Sequence, residues 1–353
     1  MTDSVRAKAA RHTLPPDVDP IEFCYAQGWT DGLPVIPPTP ERVEAMLRGT
    51  SLAPRVVIAR VPPSWAEATV EKVAVNSVMA GCRPEYLPVV IGAVRAATEP
   101  VLNLHGMQCS THLATPLVVV NGPIRQAIGL NSGANVFGQG CRANATIGRA
   151  LKLVLTNVGR AIPGVTDKAT LGQPGKYTYC IAENEEASPW DPLSVERGHP
   201  RGTSTVTVFG CEAPHNVNNQ AASSAGDLCY TIADTMATLG VNMFYAQGEV
   251  MVVLCPSHAE TIARDGWSKQ HVKEFLYEKA RKPVRLLKLG GLFGREVHRN
   301  FWPRWIDRDR EDELVPLVRR PSEITVVVAG GPGRHSAFLP GWATPSVTMP
   351  LDA

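Results

Sequence analysis

The sequence predicts an α/β fold in which mixed sheet layers are flanked by helices, arranged as two similar α/β lobes. Three observations carry that expectation. Short β-branched runs stopped by Gly or Pro recur, as in "TPLVVVNGP" (115–123), "EVMVVLC" (249–255) before Pro256, and "EITVVVAGG" (323–331). Stretches of apolar residues at helical period lie between such runs, with "NATIGRALKLVLTNVG" (144–159) the clearest. The chain has 353 residues, 44% of them hydrophobic, which is enough for a substantial core or two smaller ones.

The elements follow in order. Residues 1–19 are polar, then proline-bearing, and read as an arm outside the core. A first lobe is expected over 20–200. "PIEFCYAQGW" (20–29) and "TPERVEAMLRG" (39–49) read as short helices, the second opened by Thr39 or Pro40 and closed by Gly49. Between them "TDGLPVIPPTP" holds too many prolines for a helix or a central strand and reads as a fixed, extended connector. "PRVVIARV" (54–61) is a strand, and 66–82 with 83–99 form a helical pair broken at Gly81 to Pro84. "KYTYCIA" (176–182) is the next strand. A second lobe over 201–353 is expected to hold strands at "TSTVTVFG" (203–210), 249–255 and 323–331, with helices at about 227–238, 257–265 and 269–281. An excursion at about 281–320 mixes alternating charge with Phe293, Phe301, Trp302 and Trp305. Together with the arm, those aromatic residues predict a homo-oligomer, most simply a dimer.

Lys plus Arg number 35 against 33 Asp plus Glu, so the net charge of +2 gives no reason to expect nucleic acid or a membrane surface as partner. No window approaches the roughly 18 apolar residues of a membrane span, and the first residues lack a signal-peptide core, so a cytoplasmic protein is expected. Eight cysteines without a CxxC spacing read mostly as small buried hydrophobes in a reducing compartment.

Candidate chemistry centres on "GKYTYCIAENEEASPWDPL" (175–193). If 176–182 is a strand, alternation puts Lys176 and Cys180 on one face, where the ammonium would lower the thiol pKa. Glu183, Glu185 and Glu186 at the strand end would then move protons. The expected function is therefore a hydrolase or lyase acting on a small molecule, without an organic cofactor. Upstream, the glycine-rich stretch 130–148 offers Asn131, Arg142 and Asn144 to a carboxylate or amide of the substrate, at the start of a helix. It matches neither GxGxxG nor the Walker pattern. His215 and Asn216 in "CEAPHNVNNQ" (211–220), and Arg334 and His335 beside Ser336 in "VVVAGGPGRHSAF" (326–338), are further substrate-binding candidates. A second reading places a divalent metal on His105, Cys109 and His112, joined by Glu183 or His215, with His105 or His112 alternatively serving as a general base.

Taken together, "GWTDGLPVIPPTPERVEAML", "EKVAVNSVMAGCRPEYLPVVIGAV", "VNGPIRQAIGLNSG", "RANATIGRA", "LGQPGKYTYCIAENEEASPWDPL" and "AGGPGRHSAFLP" resemble an uncharacterised family of bacterial proteins over nearly the whole chain. The resemblance implies a bacterial metabolic protein. It also implies an association with small companion proteins bearing a selenocysteine or cysteine motif, hence a third reading as the thiol-redox subunit of a multi-protein reductase. "CIAENEEASPWDPL" separately resembles, over some ten residues, the cysteine segment of nitrilase-type hydrolases, which implies the cysteine, glutamate and lysine chemistry but not their fold.

Overall fold

In the computed structural model, which describes residues 12–244, 246–290, 306–307 and 309–351, the apolar runs become strands and the periodic stretches become helices. Along the chain come α1 (Pro20–Ala26), α2 (Pro40–Leu47), a hairpin of β1 (Val57–Val61) and β2 (Ala66–Thr69), α3 (Val70–Ala80), α4 (Leu87–Ala97) and α5 (Leu104–Cys109). Then follow β3 (Thr115–Asn121), α6 (Ile124–Ala127), α7 (Arg142–Asn157), β4 (Cys180–Ala182), α8 (Leu193–Glu196), β5 (Thr205–Cys211) and β6 (His215–Asn218). The remainder holds α9 (Ala225–Met236), β7 (Val250–Leu254), α10 (Pro256–Arg264), α11 (Lys269–Lys279) and β8 (Arg281–Pro283). After these come α12 (Val284–Leu289), β9 (Leu314–Pro316), β10 (Ile324–Val328), β11 (His335–Leu339) and β12 (Val347–Pro350).

Two four-stranded sheets organise these elements, in the orders β12-β5-β3-β4 and β10-β7-β11-β6. Each is built alike. A parallel pair, β3 with β4 or β7 with β10, is followed by two antiparallel strands. The outermost strand is exchanged between the sheets: β6 follows β5 in the chain yet pairs with β11, and β12 follows β11 yet pairs with β5. The two crossing segments meet where Cys211 bridges Gly341. β5 and β12, both beyond residue 200, thus complete the sheet begun by β3 and β4.

Alternation along the strands sets the layers. Leu117, Val119, Ile181 and Phe209 pack with Met251, Val253, Val327 and Leu339 in one apolar cluster, so the sheets lie face to face. The intervening Val118, Val120, Val206 and Val208 join the cluster of α3, α4 and α7. On the far side Val250, Val252, Val326 and Phe338 pack with α9 and α11. The order is helices, sheet, sheet, helices, the mixed α/β layering that the sequence predicts. Every residue of β3, β5, β7 and β10 is buried, which is why these strands read as continuous apolar runs rather than alternating ones.

Local signals act as expected at several ends. α3 begins at Thr69, whose side chain accepts from the Lys72 amide, and stops at Gly81 with φ +92°. The turn after β3 requires its glycine, since Gly122 has φ +84° and a Cβ there would lie 2.4 Å from the Thr203 carbonyl oxygen. Two stretches differ from expectation. Residues 66–69 form β2 rather than helix, pairing with β1. Of 176–182 only Cys180–Ala182 is strand, because Pro174–Lys176 close into a 3₁₀ turn under the Gln173 side chain.

Most of the expected arm, 1–11, lies outside the described residues. So does 291–305 with Phe293, Phe301, Trp302 and Trp305, and with it the basis of the expected dimer. Among the described residues no single helix is long and apolar enough to cross a membrane; the bent pair Pro84–Ala97 and Pro100–Cys109 passes only when taken together.

Candidate functional site

The strand break at Tyr177 to Tyr179 separates Lys176 from Cys180, which corrects the expected shared face. Lys176 Nζ sits 2.5 Å from Asp167 Oδ2. Cys180 is buried on β4, and burial, reinforced by Cys141 and Cys82, pushes its thiol well above the ordinary value. Burial so deep disfavours the thiolate that a nucleophile needs.

The three carboxylates do converge, around an arginine that the sequence reading missed. Buried Arg125, from α6, donates to the Gly122 and Glu183 carbonyls and takes Glu186 in a two-pronged contact at 3.0 and 3.2 Å. Its Nη2 also lies 3.0 Å from Glu185. Arg125 holds the Glu186 carboxyl below its ordinary pKa. Glu183 is fully buried, accepting from Asn121 Nδ2 at 2.6 Å and the Leu193 amide at 2.8 Å. Burial raises its pKa against the pull of Lys269, 3.9 Å away. Lys269 and Lys273 meanwhile pair with Glu196. The network ties the ends of β3 and β4 to α11 and acts first as a brace, although Glu183 Oε1 is buried with no hydrogen-bond donor among the described residues, Lys269 Nζ being 3.9 Å away.

The glycine-rich stretch closes on itself. Asn131 N donates to Asn144 Oδ1 at 2.8 Å while Asn144 Nδ2 returns to the Asn131 carbonyl at 2.9 Å. Arg142 donates to the Gly81 carbonyl at 2.9 Å. The side chains of Asn131 and Asn144 are occupied by backbone partners, while exposed Arg142 commits only its Nε, so the loop reads as a fixed cover across the ends of β4 and β10, where Gly330 N donates to the Ser132 carbonyl.

His105, Cys109 and His112 do not converge. His105 stacks on Trp65 at 5.8 Å between centroids, in a helix rather than a loop. His112 accepts the Ala114 amide at Nδ1, so Nε2 carries the hydrogen and donates to Glu212 at 3.1 Å. Both ring nitrogens are spent. Among the described residues no group of three or more His, Cys, Asp or Glu is placed to hold a metal.

The remaining four candidates come together at the β6 and β11 edge. Pairing sets Phe338 opposite His215 and Ala337 opposite Asn216. His335 Nδ1 lies 3.1 Å from Asn216 Oδ1, and Arg334 donates to the carbonyls of Asn219 and Ala222. Directly beneath is a set the sequence reading did not assemble. Ser336 Oγ is 2.7 Å from His258 Nδ1, and His258 Nε2 is 3.2 Å from the Asn219 carbonyl oxygen. A carbonyl oxygen only accepts, so Nε2 carries the hydrogen and Nδ1 accepts from the Ser336 hydroxyl. The Cys255 amide donates to Ser336 Oγ at 3.2 Å, and Cys255 Sγ lies 3.8 Å from that oxygen.

The position follows from the fold. Cys255 caps α10 at the carboxyl end of β7, and His258 sits on that helix's first turn. Ser336 is the second residue of β11, antiparallel to β7. Burial lowers the His258 pKa, partly offset by the Asn219 contact and reinforced by the charges of Arg334 and His335. The imidazole is thereby kept neutral, the form a base needs. The strand-to-helix run "VVLCPSH" and the motif "GRHSAF" were both legible, but not their meeting.

Against this geometry, no family model, no curated protein and no solved structure matches the chain.

Proposed function

We propose that the protein is a hydrolase of small acyl compounds, esters or amides, in which Ser336 is the nucleophile and His258 the general base. The observation that carries this reading is the 2.7 Å contact between Ser336 Oγ and His258 Nδ1, with the imidazole's other nitrogen anchored on the Asn219 carbonyl. The class is one of the two expected from sequence, hydrolase or lyase; the nucleophile differs.

In the proposed reaction Ser336 Oγ bonds to the substrate carbonyl carbon, its proton passes to His258 Nδ1, and the carbonyl electron pair moves onto oxygen. The tetrahedral adduct then expels the alcohol or amine, which takes the proton back from Nδ1. Water, deprotonated by the same nitrogen, cleaves the acyl-serine and restores the hydroxyl. The Asn219 carbonyl holds Nε2–H throughout and steadies the transient imidazolium. Arg334, which grips the Asn219 and Ala222 carbonyls, is a positioning residue. By the strand register exposed His215 lies on the Ser336 face and would meet the polar end of a substrate, whereas Asn216 and His335 lie on the opposite face of the ladder. Ser336 and His258 are nearly closed to solvent, so the proposed reaction would be shielded from bulk water and needs the exposed turn at Pro332 and Gly333, next to Ser336 in the chain, to admit the substrate.

The test is labelling with diisopropyl fluorophosphate and turnover of p-nitrophenyl acetate. Expected are a diisopropylphosphorylated peptide containing Ser336 and a fall of about a thousandfold or more in turnover for Ser336→Ala and His258→Gln. Unchanged turnover in both variants, or a label confined to other residues, would end the proposal.

A further inference from the structure

Beside the Ser336 centre stands an arginine whose charge has no carboxylate to meet it. Arg334 precedes Ser336 by two residues, and the Asn219 amide donates to its carbonyl at 3.4 Å, which carries the pairing of β6 and β11 one step further. The Asn219 carbonyl oxygen accepts both from Arg334 Nε at 3.1 Å and from His258 Nε2 at 3.2 Å. The guanidinium and the imidazole of the proposed base therefore meet on a single atom. Arg334 Nη2 goes to the Ala222 carbonyl, which leaves Nη1 uncommitted on a side chain that is only half-buried.

The carboxylates at this corner are spent elsewhere. Asp227, in the first turn of α9, accepts from the Ser224 hydroxyl at 2.7 Å. Asp265 accepts from the Ala225 amide at 2.7 Å, at the start of the same helix, and faces Arg264 at 3.8 Å. Both charges thus sit on the positive end of α9. Among the described residues Arg334 makes no ion pair. Its charge adds to burial in lowering the His258 pKa. On the other side of Ser336 the register sets His215 diagonally across the ladder, at a Cα separation of about 7 to 8 Å. In the reaction proposed above, the leaving alcohol or amine takes its proton from His258 Nδ1 and so lies against the imidazole. Arg334, tied to that imidazole through the Asn219 carbonyl, is on the leaving group's side. A single uncompensated guanidinium matches a monoanion.

We propose, resting on the Ser336 and His258 reading, that the substrates are acyl compounds whose leaving group bears a carboxylate, and that Arg334 Nη1 receives it as the specificity-determining donor. Turnover of 4-acetoxybenzoate against 4-acetoxybenzamide by the full chain tests this, since the two esters differ in charge and hardly in shape. Each rate is taken relative to uncatalysed hydrolysis, with Ser336→Ala as the blank. The carboxylate is expected to show a kcat/KM at least about tenfold higher, and the preference should fall severalfold between about 0.01 M and 1 M salt. It should be lost in Arg334→Gln and largely kept in Arg334→Lys, whatever the overall rates of these variants. The ranking and the salt dependence need no variant, so they decide even where a variant does not fold. Equal or faster Ser336-dependent turnover of the amide, a preference indifferent to salt, one that survives in Arg334→Gln, or one lost alike in both variants would overturn this inference and leave the hydrolase standing. No Ser336-dependent turnover of either ester would overturn both.

Discussion

Replacing Lys152 by methionine is expected to stabilise the protein below about pH 9 and to destabilise it above. Lys152, on α7, is buried against the start of β3, donating to Thr115 Oγ1 at 2.7 Å and the Pro116 carbonyl at 2.5 Å. Among the described residues no carboxylate pairs with it, unlike Lys269 and Lys273, which share Glu196. Burial therefore lowers its pKa from 10.5 to about 7. Between those values the unfolded chain holds a proton that the native state has released, so stability rises with pH across the window. Below pH 7 both states are protonated and the full cost of the buried ammonium is present; above 10.5 it is gone. A gap of about 3.5 at about 1.4 kcal/mol per pH unit makes that cost about 5 kcal/mol. Methionine removes it but strips the donor from two buried acceptors, at about 2 kcal/mol. The stability curves of the two proteins should then cross near pH 9, with the variant ahead by about 3 kcal/mol at pH 7. Urea unfolding followed by tryptophan fluorescence from pH 6 to 10 measures this directly. Parallel curves, or a variant less stable at pH 7, would refute the assignment of a neutralised lysine.

Two further outcomes follow from buried groups. Native alkylation with iodoacetamide at pH 8, mapped by peptide mass, should reach half-buried Cys109 and Cys141 first and spare Cys180, Cys82 and Cys229, because burial raises the last two thiols to about 12 and Cys180 further still; labelling of Cys180 as fast as Cys141 would return it to consideration as a nucleophile. Asp31→Asn should cost about 3 kcal/mol by leaving the sheltered Arg149 guanidinium without its carboxylate, and should speed proteolysis within 30–38; unchanged stability and cleavage would mean that the prolines alone hold the connector.

What the sequence determined is what depends on neighbours in the chain. β-branched runs stopped at Gly122, Pro256 and Gly330 become β3, β7 and β10, since burial on both faces demands unbroken apolar residues. Periodicity places α7, and Gly81 ends α3, because caps act over a few residues, whereas the start at Thr69 in place of 66 depends on β2 pairing with β1. The gathering of Glu183, Glu185 and Glu186 was readable as proximity. Their partner Arg125, about 60 residues earlier, was not. Tertiary structure decided which strands meet, and nothing in "HNVN" or "VTMP" announces that β6 and β12 exchange sheets, since a ladder's hydrogen bonds are between backbones and carry no local signature. It also decided the candidate chemistry. Lys176 and Cys180, four residues apart, share no strand, because Lys176 ends a 3₁₀ turn that alternation could not foresee and β4 begins only at Cys180. Ser336 and His258, 78 residues apart, are brought to hydrogen-bonding distance because β11 lies antiparallel beside the strand that launches α10.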